Sequence, residues 1–288
     1  MSLSTNTMLA TLSISCWTGQ RLDRTADKAV EKDFDAATGA GRYKKNLIDS
    51  AWLSDVRRIE REARDYHQRN TLPWLDDGVR ILPAARFMAY AQAMRGYRTV
   101  FESHADTFVK SYGDAVHKAS ASLGKLFHMD DYPSRQEIRA SFGFATRITP
   151  TPDAGDFRVA ALDQSAVEEI RQSCAAAIDE ASRKAVADLY ARLREVVQHA
   201  YDRLRDPEAV FRDSLVNNIR ELLDLAPALN ITADPVLDAA IAEIKELFYT
   251  TKPDFLRDDK RLRSLTSTAA LDILRKMEGY SGIKENPA

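Results

Sequence analysis

Two uninterrupted runs of helical periodicity, from about Pro83 to Phe127 and from about Asp163 to Arg205, leave this chain few ways to fold. A helix of forty residues is about 60 Å long, more than a compact domain of this size needs. In the first run Phe87, Ala91, Met94, Tyr97, Phe101, His104, Phe108, Tyr112, Ala115, Ala119, Leu123 and Leu126 recur about every 3.5 residues, the period of a helix lying along a partner. In the second, Val167, Ile170, Cys174, Ala177, Ala181, Ala185, Leu189, Leu193, Val196, Ala200 and Leu204 recur about every 3.7 residues, near the ordinary helical period. One stripe is aromatic and the other alanine-rich, so large side chains of one can seat against small ones of the other. The expectation is a long antiparallel, coiled-coil-like helical hairpin.

Strand signals are few and short. Met8 to Trp17 alternates, with Met8, Ala10, Leu12, Ile14 and Cys16 on one face. Leu72-Pro73-Trp74-Leu75 and Val79-Arg80-Ile81-Leu82 flank Asp76-Asp77-Gly78, which predicts a small hairpin or a turn followed by one strand. Phe142 to Thr149 alternates until Pro150 stops it, and Phe157 to Val159 is a further candidate strand. Short strands are marginal alone, so these are expected to share one small sheet at the end of the hairpin.

Helices are expected elsewhere. Residues 1 to 7 are polar and expected to be loose. Arg21 to Ala37 reads as a short amphipathic helix ended by Thr38-Gly39-Ala40-Gly41, and Tyr43 to Arg69 as a longer one. Ser134-Arg135-Gln136-Glu137 and Ser165-Ala166-Val167-Glu168 have capping-box spacing. Asp206-Pro207 and Asp234-Pro235 each place a proline after a capping residue and predict helices at about 207–225 and 235–248, with a last one near 261–279. The fold class expected is mainly α with a small β-sheet (α+β) and a C-terminal helical bundle. The divisions expected are 1–82, 83–206 with a strand-bearing insert at 129–162, and 207–288, acting as one cooperative unit.

Composition narrows the function classes. Lys and Arg total 41 against 43 Asp and Glu in 288 residues, so no global field draws the chain to nucleic acid or anionic lipid. Cys16 and Cys174 are the only cysteines and lack metal-ligand spacing, which reads as two reduced thiols in a cytoplasmic protein. No stretch is apolar enough to predict a membrane span, and the N-terminal run lacks the basic start of a signal peptide. No two histidines stand at i, i+3 or i, i+4, and neither phosphate-binding glycine motif occurs, so no metal, cofactor or catalytic residue is expected.

Positive charge is concentrated locally, at Arg57, Arg58, Arg61 and Arg64 and again at Arg257, Lys260, Arg261 and Arg263. A solvated helix face laced with ion pairs explains the first cluster without any ligand. The functional alternative is a surface for a protein partner or for nucleic acid.

The N-terminal strand with Trp17-Thr18-Gly19-Gln20, the charged helix after it, Trp52-Leu53 leading through the arginine-rich helix to Leu72-Pro73-Trp74, and the long run after Pro83 together resemble a family of phage, prophage and plasmid proteins of unknown function. That family accompanies MoxR-type AAA+ ATPases and von Willebrand factor A proteins. The resemblance is one of layout and carries no signature motif. It implies a non-enzymatic scaffold or adaptor in the bacterial host cytoplasm, working by protein–protein contact, with the hairpin as a lever or homo-oligomerisation arm. The alternative expectation is a phage DNA-transaction accessory protein that binds through its arginines.

Overall fold

The computed structural model describes residues 3–76, 78–156, 163–206, 209 and 213–280. In chain order its elements are α1 (Leu3–Asn6), β1 (Thr7–Ser15), β2 (Gln20–Leu22), α2 (Arg24–Asp33), β3 (Lys44–Asn46), α3 (Ser54–Asn70), β4 (Leu72–Pro73), β5 (Val79–Pro83), α4 (Phe87–Leu123), α5 (Arg135–Ala140) and β6 (Gly143–Pro150). There follow α6 (Gln164–Leu204), α7 (Ser214–Leu229), α8 (Pro235–Thr250), α9 (Pro253–Asp258) and α10 (Lys260–Tyr280). The protein is therefore mainly helical with a small antiparallel sheet, in the order β4-β5-β1-β6, and a separate β2-β3 ribbon. The candidate strand Phe157 to Val159, the expected first turn of the 207–225 helix and the tail after Tyr280 lie outside the described residues.

The chain divides into two compact units, each assembled from separated stretches. Unit 1 takes the described residues within Met1–Thr11, His67–Tyr90 and Arg147–Ala288, and unit 2 those within Leu12–Tyr66 and Ala91–Thr146.

In unit 1 the sheet register follows from the expected hairpin: Leu72 faces Ile81 and Pro73 faces Arg80, while Thr7 to Thr11 pair with Pro83 to Val79. Gly78 supplies the positive φ, 81°, that the turn between β4 and β5 requires. Residues 3–7 are ordered rather than loose, because Leu3 is buried and the Thr7 hydroxyl donates to its carbonyl at 2.7 Å.

Helix α6 starts at Asp163, whose carboxylate accepts from the Ala166 amide at 2.8 Å, so the cap sits two residues before the expected Ser165. Its burial is confined to the second half, where Ala181, Ala185, Leu189, Leu193, Val197, Ala200 and Leu204 are covered. Val167, Ile170 and Cys174 are half-exposed, so Cys174 is not the buried apolar group expected. The covering side chains come from within unit 1: Ala270, Ile273, Leu274 and Met277 of α10, together with residues of α7, α8 and the β4–β5 hairpin. Each leucine fully buried here contributes on the order of 2 kcal/mol. The alanine-rich stripe expected to receive the aromatic helix is thus filled by the C-terminal helices.

In unit 2 the aromatic stripe of α4 is filled by rings from its own unit. Phe101 meets Phe144 at 5.7 Å between centroids in a tilted pair, and Phe108 meets Phe142 edge-on at 5.8 Å and stacks with Trp17 at 6.0 Å. Gly143 is needed where β6 passes β1, since a Cβ there would stand 2.8 Å from the Ser15 hydroxyl. The expected capping box is present on α5, with Ser134 and Glu137 exchanging bonds of 2.8 and 3.3 Å.

Two expected helices are shorter than their periodicity suggests. The run Tyr43 to Arg69 becomes helical at Ser54 after a 3-10 turn over Ser50–Leu53, because Lys44–Asn46 is taken into the ribbon with Gln20–Leu22. There Lys45 is only 3% exposed and holds Asp23 at 2.8 Å and Asp131 at 2.5 Å, a demand that a continuous helix could not meet. Helix α2 begins one residue after Asp23, which accepts from the Thr25 and Ala26 amides, and it ends at Asp33. None of its residues is buried, and Phe34 beyond it is 78% exposed.

Candidate functional site

On α3 and the 3-10 turn that leads into it, Ser50, Ser54, Arg57, Arg61 and Arg64 recur at intervals of three and four, so they share one helical face. That face and the end of β1 enclose an open cleft of about 810 Å³ within unit 2. Three of the four N-terminal arginines singled out in the sequence are brought together here. Arg58 falls outside the cleft, pairing with Glu62 at 3.1 Å and Asp55 at 3.6 Å.

The three cleft arginines are not equivalent. Arg64 binds Glu60 through two nitrogens, at 2.8 and 3.1 Å, and also donates to the Ile14 carbonyl at 2.9 Å. The second oxygen of Glu60 accepts from the Cys16 thiol at 3.1 Å. Burial first, and then the bond to Glu60, push the Cys16 thiol up to about 12, so it stays neutral throughout the ordinary pH range. Arg57 donates to the Thr18 carbonyl at 2.8 Å. Arg61 is exposed, and among the described residues its side chain has no ion pair or hydrogen bond. Glu60 is the single acid among the lining residues, and Arg64 already answers it.

The second basic cluster belongs to unit 1 and disperses. Arg257 is engaged by Asp213 at 2.6 Å and by Asp254, and both partners hold its guanidinium above its ordinary value. Lys260 and Arg261 are exposed at the start of α10. Arg263 is 6% exposed and donates to the carbonyls of Leu204, Arg203 and Ala209 at 3.2, 2.9 and 2.7 Å. It closes the end of α6 and is no part of a surface.

Unit 1 holds a different feature that the sequence did not single out. A groove of about 540 Å³ runs along the outer face of α6, floored by Val186, Ala187, Tyr190 and Ala191 and walled by Val236 and Met277. Arg194, Glu195 and Asp234 stand at its polar side, Arg194 being paired with Glu278 at 3.1 Å. Its sequence signal was Ala187 and Ala191 at i, i+4, which merged with the neighbouring buried stripe.

Among the described residues no group of three or more His, Cys, Asp or Glu is placed to hold a metal ion. Nor, among them, is any helix long and apolar enough to cross a membrane. His67 is buried, with Nδ1 2.7 Å from the Tyr90 hydroxyl. No curated protein and no solved structure matches this chain. A family model, DUF3014, described as a protein of unknown function, matches residues 157–238, a minority of the chain that takes in α6, α7 and the start of α8, all within unit 1.

Proposed function

We propose that the chain acts by protein–protein contact, as a non-enzymatic adaptor or scaffold that receives an amphipathic helix of its partner in the groove along α6. The observation that carries this reading is the build of the groove: an apolar floor bounded by charged residues, with alanines where a partner's backbone would come closest. An amphipathic helix presents apolar residues at i, i+3 or i+4 and i+7 with polar flanks, which is the complement of such a surface. The family resemblance, one of layout over roughly residues 8–280, suggests where the partner lies, in a MoxR-type AAA+ ATPase or a von Willebrand factor A protein of a phage-borne system in the bacterial host cytoplasm.

The test is capture of both candidates by the full chain compared with Ala191→Arg. Ala191 is exposed, so the substitution fills the groove without entering the core. Retention of a partner is expected to fall at least about tenfold, or about 1.4 kcal/mol, with an unchanged melting temperature. Undiminished capture by the variant would remove the groove from the reading. A wild-type chain that stays monomeric and retains neither candidate would remove the adaptor role.

A further inference from the structure

We propose that the unit 2 cleft binds a small phosphate monoester, with the phosphate held by Arg57, Arg61 and the Ser54 hydroxyl. The inference is independent of the adaptor reading and uses a different unit.

It starts from the charge balance of the cleft. Three guanidiniums face one carboxylate, and that carboxylate is fully used: one oxygen by Arg64, the other by the Cys16 thiol. The thiol adds no negative charge, since burial and Glu60 keep it protonated. Two positive charges, on Arg57 and Arg61, are left without a countercharge in the cleft. A phosphate monoester carries about −1.5 to −2 at pH 7 and three strong acceptor oxygens. Its charge therefore matches the excess.

Geometry agrees. Arg57 and Arg61 stand at i, i+4 on α3 with Ser54 one turn before Arg57, so the three span about 10 Å of one helical face. The planar fork of a guanidinium fits two oxygens of a phosphate, and a hydroxyl completes the third. Arg57 is pre-oriented by the Thr18 carbonyl, which engages one of its nitrogens and leaves the remaining donors for a ligand. The Glu60–Arg64 pair also lines the cleft. At about 810 Å³ the cleft exceeds what a phosphate fills and falls in the range of small-molecule sites, leaving room for the organic body of an ester. Trp17, held against Phe108 at 6.0 Å, gives that body an aromatic wall.

The experiment is calorimetric titration of the full chain with inorganic phosphate, adenosine 5′-monophosphate, adenosine, and a single-stranded oligodeoxynucleotide lacking terminal phosphates. Inorganic phosphate and the monophosphate are expected to bind and to compete, the monophosphate more tightly, and adenosine to bind at least about tenfold more weakly. Arg61→Gln is expected to weaken both phosphate ligands about tenfold, the loss of a charge-assisted bidentate contact. Arg61→Lys should fall between, and Arg58→Gln, outside the cleft, should bind within about twofold of the wild type. Because Arg61 is exposed and its side chain has no ion pair or hydrogen bond among the described residues, its variants should melt with the wild type. The proposal is overturned if neither phosphate ligand binds, if adenosine binds as well as its monophosphate, or if Arg61→Gln binds as the wild type does. It is also overturned if the oligonucleotide binds and the monophosphate cannot displace it, for then the cleft tracks a phosphodiester backbone.

Discussion

At the scale of single residues, Lys45 shows how a charge can hold a fold together. Its ammonium is buried, pairs with Asp23 and Asp131 and donates to the Leu126 carbonyl, so it joins the ribbon to the segment after α4 within unit 2. The bond from Lys45 holds the Asp23 carboxyl below its ordinary value of 3.8. Its share of stability is therefore present above that value and is lost as pH falls through the lower folded value. Burial pushes Lys45 down, but the bonds to Asp131 and Asp23 outweigh it, and the net shift is upward from 10.5. That share is complete below 10.5 and is lost as pH rises through the folded value. Between these limits the tie is intact. Lys45→Met should cost about 3 kcal/mol, because the buried Asp23 loses its countercharge and Asp131 keeps only Arg21, at 3.3 Å, and its melting temperature should fall less steeply than the wild type's below about pH 4. Circular dichroism melts across pH check both. Nothing in the sequence marks Lys45, since its partners are distant in the chain and a lysine in a periodic run reads as solvated. Arg61, by contrast, stands out in the sequence with Arg57, Arg58 and Arg64 as locally concentrated charge, while the placement of Cys16 beside it depends on β1 arriving at the same face.

Among the elements, caps and stripes were the legible features. The Ser134 box, the Asp234-Pro235 start and the Asp76-to-Gly78 turn involve neighbours in sequence, so local chemistry determines them. A buried stripe says only that a face is covered. Both long helices carry one, and the covering came from the C-terminal helices for α6 and from Trp17, Phe142 and Phe144 for α4. The same limit applies to Arg263, which reads as one member of a basic run yet closes the end of α6 by donating to its last carbonyls. Arg263→Ala should destabilise unit 1 by about 3 kcal/mol, the range for a buried charge-assisted network. Arg263→Lys should rescue little, since a single ammonium cannot replace the fork. Urea denaturation of both variants, followed by tryptophan fluorescence and circular dichroism, measures this.

For the whole molecule, fold class was readable from composition and periodicity, but the assembly into units was not. Each unit is drawn from separated stretches, and sequence periodicity has no term for which stretches combine. The segment 157–238 matched by the family model is accordingly not a self-sufficient domain. The core around α6 also includes Leu3, Leu9, Leu72, Trp74 and Ile81 from the N-terminal third and Ile273, Leu274 and Met277 from α10. A fragment of residues 157–238 is expected to lack cooperative unfolding and to bind a hydrophobic dye, whereas the full chain is expected to melt cooperatively without binding it; calorimetry and dye fluorescence distinguish the outcomes.

The discontinuity of the units has a temporal consequence. Unit 2 draws on no residue beyond Thr146, whereas unit 1 needs α10, near the end of the sequence. As the chain leaves the ribosome, the arginine-lined unit can close while the N-terminal segment and the β4–β5 hairpin still wait for their helices. During that interval Leu3, Leu9, Leu72 and Ile81 are apolar groups without their final cover. Translation order therefore leaves unit 1 the later of the two to complete its core.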